Sequence, residues 1–221
     1  MKVLFGELPP SRFVTWTDLT ECGCLLARTL ARENITSVIG VPRSGLFLAN
    51  LIAVYLHIPL FAFDQKRRCL RTIGAGGRLP NSTDLGGNPV LVDDTVSSGR
   101  TLNYVWEVLR EHYGIRNCLK LVAYSSEWGE GLVDMAGWYY ERPHYLEWCF
   151  VNTGWARSFA YDFDGGLCED FVGGDATQYK RHLEEAKALY VPRLFPIFVV
   201  SARLEETRND CLVWLAKHGV S

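Results

Sequence analysis

The sequence contains no Cys-x-x-Cys pair, no internal repeat and no low-complexity tract. The first absence excludes a zinc ribbon and a thioredoxin-like redox motif. The seven cysteines (Cys22, Cys24, Cys69, Cys118, Cys149, Cys168 and Cys211) are odd in number and scattered, and read as free thiols in a reducing compartment. Long apolar runs are missing as well: residues 46–56 are interrupted by Asn50 and fall far short of the ~18–20 residues that a membrane span needs. The first ten residues are too short, and broken too soon at Pro9-Pro10, to read as a secretory signal. Nor does the charge lean far to either side. A formal net charge of −2 argues against an indiscriminate nucleic-acid binder. The five histidines, His57, His112, His144, His182 and His218, show neither metal-ligand spacing nor a Ser/His/Asp order. These absences lead to the expectation of a soluble, cytoplasmic protein with no membrane partner.

What the chain has is an ordinary globular composition, 48% hydrophobic and 22% charged over 221 residues. At roughly 150 residues per domain that is one domain and a half, with enough apolar material for a core. The near-neutral total hides an asymmetry. Through Tyr124 there are 14 Lys and Arg against 10 Asp and Glu, and from Ser125 onward 9 against 15. A basic first part and an acidic second part suggest two units, taken as residues 1–150 and 151–221.

Asp18 with Glu21 three residues on reads as a capping-box start, followed by Leu19, Cys22, Leu26 and Leu30 at helical spacing. Short apolar strands are expected at 37–41, 60–63, 89–92 and 118–123, with helices at 45–56 and 101–112 between them. That alternation predicts right-handed βαβ crossovers and an α/β fold on a mostly parallel sheet, with ligands at the carboxyl ends of the strands. Residues 67–85, rich in glycine, interrupt the pattern and read as a long mobile loop. The aromatic stretch 138–150 reads as extended packing, a linker, or a hood on which a base stacks. A second α/β pattern then runs through a strand at 158–161, a helix at 177–190, a strand at 196–200 and a closing helix at 205–218.

The most informative segment is residues 90–102. The apolar strand Val90-Leu91-Val92 delivers Asp93 and Asp94, and Thr95, Val96, Ser97, Ser98, Gly99, Arg100 and Thr101 then open a helix. A glycine lets backbone N–H groups turn inward, hydroxyls add donors, and the helix N-terminus adds positive partial charge, which together make a monophosphate site. Two carboxylates just before it can accept hydrogen bonds from a sugar diol. The segment therefore reads as a clamp for a ribose 5-phosphate. It resembles, over thirteen contiguous positions, the phosphoribosyl pyrophosphate signature of the type I phosphoribosyltransferases.

Pro42, Arg43, Ser44 and Gly45, between a strand and a helix, resemble that family's pyrophosphate-binding loop. Lys66, Arg67, Arg68, Arg71 and Arg78 are five cations lying where the family carries its flexible catalytic loop. The resemblance implies a parallel sheet with flanking helices and transfer of ribose 5-phosphate between phosphoribosyl pyrophosphate and a nitrogenous base. It also implies release of pyrophosphate, Mg²⁺ held mainly by substrate oxygens, a nucleobase-like acceptor and a homodimer. Asp93, Asp94, Arg68 and Arg71 carry the catalytic role in this reading, through positioning and charge neutralisation around an oxocarbenium-like transition state. A regulatory module that binds phosphoribosyl pyrophosphate or a nucleotide without turnover is the competing reading, and nothing in the sequence spells out a purine, orotate or uracil pocket.

A second strand-to-acid junction follows. Asp162 and Asp164, two apart on an extended backbone, face the same side and can meet one Mg²⁺ or one phosphate. With Gly165 and with Ser201 after the next strand, they resemble the first two motifs of the haloacid dehalogenase superfamily. The resemblance implies a nucleophile at Asp162, an acid/base at Asp164, a phosphoryl-holding hydroxyl at Ser201 and a metal on the two carboxylates. The lysine and the second acidic pair of that family's later motifs normally lie farther on than Ser221. Residues 151–221 are therefore expected to be the amino-terminal half of such a domain, a truncated Rossmann-like unit, with a magnesium-dependent phosphatase activity belonging to a longer chain.

Overall fold

Fifteen residues after the chain begins, Thr15 turns it into its first helix. The computed structural model describes residues 1–8, 13–74, 85–140, 145–150, 157–192 and 198–220. They divide into two units, Met1–Tyr145 and Leu146–Ser221. Among the described residues no helix is long and apolar enough to cross a membrane.

In the first unit the chain runs β1 (Lys2–Leu8), β2 (Phe13–Val14), α1 (Trp16–Leu30), β3 (Ser37–Gly40), α2 (Ser44–Leu56), β4 (Leu60–Asp64), β5 (Cys69–Gly74), β6 (Pro89–Thr95), α3 (Arg100–Tyr113), β7 (Leu119–Ser125) and β8 (Met135–Tyr140). Seven of the strands form one sheet in the order β1-β8-β7-β6-β3-β4-β5. Every pairing is parallel except β4 with β5. This is the expected α/β architecture, a mostly parallel sheet with flanking helices.

The central strands are buried on both faces, so they read as unbroken apolar runs. Val38, Ile39, Val90, Leu91 and Val92 are all fully buried. Helix α1 turns Leu19, Cys22, Leu26 and Leu30 into the core. Its cap is Thr15, whose hydroxyl accepts from the Asp18 N–H while the Asp18 carboxylate accepts from the Thr15 N–H. Asp18 is thus the third residue of the capping box and not its first, because a threonine three residues earlier competes for the cap. Helix α3 packs Val105, Val108 and Leu109 against Ile39, Leu91 and Val122. It ends at Gly114, in the left-handed region at φ 64°.

Two stretches differ from the sequence expectation. Residues Lys2–Leu8, left unassigned, form β1 on the sheet edge beside β8. The first part of the expected loop is strand β5, antiparallel on β4 with Asp64 opposite Cys69. Residues 75–84, including Arg78, lie outside the described residues.

The second unit holds β9 (Tyr145–Leu146), shared across the division, then α4 (Glu147–Phe150), β10 (Ala160–Asp162), α5 (Ala176–Glu185), β11 (Phe198–Val200) and α6 (Arg208–Lys217). Strands β10 and β11 pair in parallel, with Asp162 opposite Val200. Their core gathers Tyr161, Phe163, Leu167, Cys168, Tyr179, Leu183 and Trp214. Trp214 is fully buried and its indole N–H donates to the Ala186 carbonyl at 3.1 Å. Helix α5 stops at Glu185, five residues short of the expected end, and a short 3₁₀ turn at Glu205–Thr207 precedes α6.

Candidate active site

Strand β6 carries its two acids to the carboxyl edge of the sheet, in register beside β7. Asp94 is buried and Asp93 partly so. Asp93 Oδ1 accepts the backbone N–H of Asp94 at 2.9 Å. Burial, followed by the neighbouring Asp94, pushes the Asp93 carboxyl up to about 9.

After Thr95, Val96 turns into the core while Ser97 and Ser98 stay exposed. Gly99 then starts α3 in the left-handed region, at φ 65°, with no side chain to cap the helix. A Cβ there would lie 2.9 Å from Leu132 Cδ1, so the position requires glycine for space as well as for backbone angle. The first turn of α3 holds no acidic residue. Its N–H groups, with the hydroxyls of Ser97, Ser98 and Thr101 nearby in sequence, form the positive end of a dipole suited to an anion. Arg100 and Thr101, the first residues of that turn, are exposed.

The second loop meets the acid pair directly. Val41 N–H donates to the Val92 carbonyl at 3.0 Å, so the chain leaves β3 alongside β6. Pro42 is joined to Arg43 through a cis peptide bond, and α2 starts at Ser44 with Arg43 as its cap. A Cβ on Gly45 would stand 2.5 Å from Asp93 Oδ1 and 2.7 Å from its Cα. Only glycine lets the first turn of α2 approach the acids this closely. The structure thus brings residues 42–45 and the pair Asp93 and Asp94 together.

The basic segment is arranged differently from expectation. Asp64, at the end of β4, accepts from Arg71 Nη2 at 2.8 Å and Arg67 Nη1 at 3.3 Å, and also from the backbone N–H groups of Lys66 and Arg67. Arg68 sits over the ring of Tyr104 on α3, 5.6 Å from its centroid. Arg71 and Lys66 nevertheless line a cavity of about 340 Å³ together with Pro42 and Asp64. Of the two proposed catalytic arginines, Arg71 is tethered to a carboxylate in the cavity that Pro42 also lines, and Arg68 is stacked on an aromatic ring.

Tyr140, from the aromatic stretch 138–150, and Tyr124, which motif reading overlooked, join this edge. Tyr140, buried on β8, and Thr95 share a hydrogen bond of 3.0 Å between their hydroxyls. Tyr124, opposite Thr95 in the β6–β7 register, has its ring centroid 6.4 Å from that of Tyr140. Period-two spacing on neighbouring strands was the only available signal, and it needs the pairing register to be read.

In the second unit Asp162 is exposed at the end of β10 and Ser201 follows β11. Asp164 is occupied. It accepts from Arg203 Nε at 2.9 Å, from the Tyr179 hydroxyl at 3.0 Å and from Ser201 Oγ at 3.5 Å. The Arg203 guanidinium also lies over the rings of Tyr179 and Phe171, at 4.4 and 5.0 Å, and donates to the Phe171 carbonyl. A cation already stands where a metal on Asp164 was expected. Among the described residues no group of three or more His, Cys, Asp or Glu could hold a metal ion.

Residues 21–124 match the family model of the phosphoribosyl transferase domain, a span that runs from α1 through β7 and includes both loops and the acid pair. Over 77 residues the chain is 32% identical to the transcriptional regulator GfcR of Methanosphaerula palustris, covering 34% of this chain and 37% of that protein. The chain thus matches little more than a third of the length of this curated relative. Among solved structures, the purine phosphoribosyltransferase of Pyrococcus horikoshii is similar at a TM-score of 0.49 and 24% identity, over 62% of this chain and 93% of that one. The orotate phosphoribosyltransferase of Aeropyrum pernix is similar at a TM-score of 0.41 and 25% identity, over 56% of this chain and 70% of that one.

Proposed function

We propose that the first unit binds phosphoribosyl pyrophosphate and transfers its ribose 5-phosphate to a nitrogenous base, releasing pyrophosphate. The observation that carries the reading is the junction at the end of β6. There an acid pair is followed within five residues by the uncapped N-terminus of α3 and is touched from the side by Gly45 of α2. The phosphoribosyl transferase domain match over residues 21–124 supports it.

In this reading the N–H groups of residues 97–101 hold the 5′-phosphate, and the Asp93 and Asp94 carboxyls accept the ribose hydroxyls. The diphosphate lies toward residues 42–45, where the first turn of α2, Arg43 and the nearby Arg71 offset its charge. The bond from the anomeric carbon to the diphosphate oxygen breaks and a bond to a ring nitrogen forms. Positive charge develops on the sugar beside the two acids, so positioning and electrostatics supply the rate enhancement without a protein nucleophile. Magnesium enters with the substrate, on its diphosphate oxygens.

The similarity to a transcriptional regulator favours a second reading, a module that senses phosphoribosyl pyrophosphate without turnover. One experiment separates the two. The full chain is incubated with phosphoribosyl pyrophosphate, Mg²⁺ and a panel of nucleobases, and pyrophosphate release is followed beside calorimetric binding. Base-dependent release supports the transferase, binding without release supports the sensor, and absence of binding overturns both.

For the second unit the haloacid dehalogenase resemblance rests on the motif residues Asp162 and Ser201 alone, which follow the parallel β10–β11 pair. The engagement of Asp164 by Arg203 argues for a unit without phosphatase turnover in this chain.

A further inference from the structure

A cavity of about 210 Å³ lies beneath the first turns of α1, lined by Leu8, Leu25, Cys22, Tyr124 and Trp138 and bordered by the carboxylates of Asp18 and Glu21. We propose that this cavity receives the acceptor ring, and that Glu21 selects a ring bearing amino groups over one bearing a carboxylate. The proposal rests on the transfer reading of the acid pair and deepens it by naming the class of acceptor.

Position comes first. Tyr124 lies directly opposite Thr95 in the β6–β7 register, one strand spacing of about 4.8 Å away. Tyr140, bonded to the Thr95 hydroxyl, has its ring next to that of Tyr124. The cavity therefore stands at the same carboxyl edge as the acids, and a ring bonded to the anomeric carbon of a ribose held there reaches it. The strand order β8-β7-β6-β3 adds a geometric reason. The pyrophosphate loop follows β3 on one side of β6, and the cavity uses β7 and β8 on the other. Leaving group and attacking nitrogen are then on opposite sides of the sugar, as in-line displacement requires.

Size and chemistry come second. The volume is below the roughly 300–1,000 Å³ of sites for drug-sized ligands, which suits a single planar ring system and not a whole nucleotide. Trp138, half-buried, offers an aromatic face for stacking, with the buried Tyr124 behind it as a floor. Burial pushes the Cys22 thiol up to about 12, so that wall is neutral. The polar border is acidic. Asp18 already accepts from the Thr15 N–H and hydroxyl, whereas Glu21, one turn on, is exposed. Amino groups donate to such carboxylates, and partial positive charge on the ring is attracted to the aromatic faces. A ring carboxylate would face two like charges at short range.

The test uses the full chain with phosphoribosyl pyrophosphate and Mg²⁺, and adenine, cytosine, uracil and orotate as acceptors, with pyrophosphate release as the readout. Adenine or cytosine is expected to exceed orotate by at least tenfold in kcat/KM. Glu21→Gln should raise the KM of the amino-bearing ring by roughly tenfold or more, the worth of one charge-assisted hydrogen bond, with phosphoribosyl pyrophosphate affinity unchanged by calorimetry. Glu21→Lys should shift the preference toward orotate. The position is exposed, so both variants keep the fold, and circular dichroism checks this. Orotate preferred by the native chain, or an unaltered acceptor profile in both variants, overturns the pocket assignment and leaves the transfer reading standing. Failure of the native chain to bind phosphoribosyl pyrophosphate overturns the transfer reading, and the assignment with it.

Discussion

Each unit ends a parallel strand on a pair of acids, yet the two pairs are held in opposite ways. In the first unit Asp93 faces Asp94 and the backbone of Gly45, and burial beside a second acid pushes its carboxyl up. In the second, Asp164 pairs with Arg203 and gathers hydroxyls from Tyr179 and Ser201. Two acids held close together in a buried place are electrostatically unfavourable, and a ligand that brings hydroxyl donors relieves this. An acid matched by an arginine has nothing left to gain from a ligand. The same sequence feature thus marks the proposed binding edge in one place and an internal fastening in the other.

The largest expected effect breaks or confirms the binding half of this contrast. Asp93→Asn with Asp94→Asn removes two charge-assisted hydrogen bonds of about 1.5–3 kcal/mol each. Calorimetric affinity for phosphoribosyl pyrophosphate should fall by roughly 100-fold or more, and unchanged affinity would remove the clamp assignment. Next comes the fastening. Arg203→Ala strands a partly buried carboxylate and two aromatic faces, at a cost of about 1–3 kcal/mol to the second unit. Amide hydrogen exchange in α5 should accelerate while exchange in the first unit stays as it was. Protection unchanged in α5 would mean that Asp164 does not need its cation.

A smaller effect follows from the raised Asp93 carboxyl. Because the folded protein holds a proton on Asp93 that the unfolded chain releases above about pH 4, the group lowers stability progressively as pH rises toward its folded value of about 9. Asp93→Asn should therefore raise Tm by a few degrees at pH 8 and by little at pH 5, as followed by thermal melts. A gain of equal size at both pH values would show that Asp93 is not raised by the fold. The smallest effect is none at all. With Mg²⁺ and an aryl phosphate, the native chain and its Asp162→Asn variant should be equally inactive. Robust hydrolysis lost in the variant would restore the second acid pair to catalysis.

Local chemistry was legible where it is contiguous in the chain. The strand-acid-loop-helix run of residues 90–102 folds as one piece, and each of its signals lies within a few residues of the next. Features that depend on distant partners were not. The basic segment looked free of acids because Asp64 lies just before it, and only the β4–β5 hairpin folds Arg71 back onto that carboxylate. Arg203, by contrast, was legible as the one cation near the second acid pair, and the β10–β11 pairing brings it to Asp164 from 39 residues away. Strand β1 escaped notice because Gly6 and the exposed Glu7 break its apolar alternation, a tolerance that an edge position gives. The helix start was displaced by three residues, since threonine and aspartate both cap helices and propensity alone does not rank them.

The partnership of β1 with β8 has a consequence for how the protein is made. Lys2 lies opposite Met135, so β1 waits for roughly 130 further residues to be made before its partner exists. At a synthesis rate of about 5–20 residues per second that wait lasts many seconds. Meanwhile β3, β4, β6 and β7 can already pair, because each finds its neighbour sooner. Docking of the N-terminal strand is then the closing event of this unit's assembly. Removing Lys2–Leu8 should leave the acid-pair region folded while baring the edge of β8 to a neighbouring chain, and the loss would appear first as aggregation during expression.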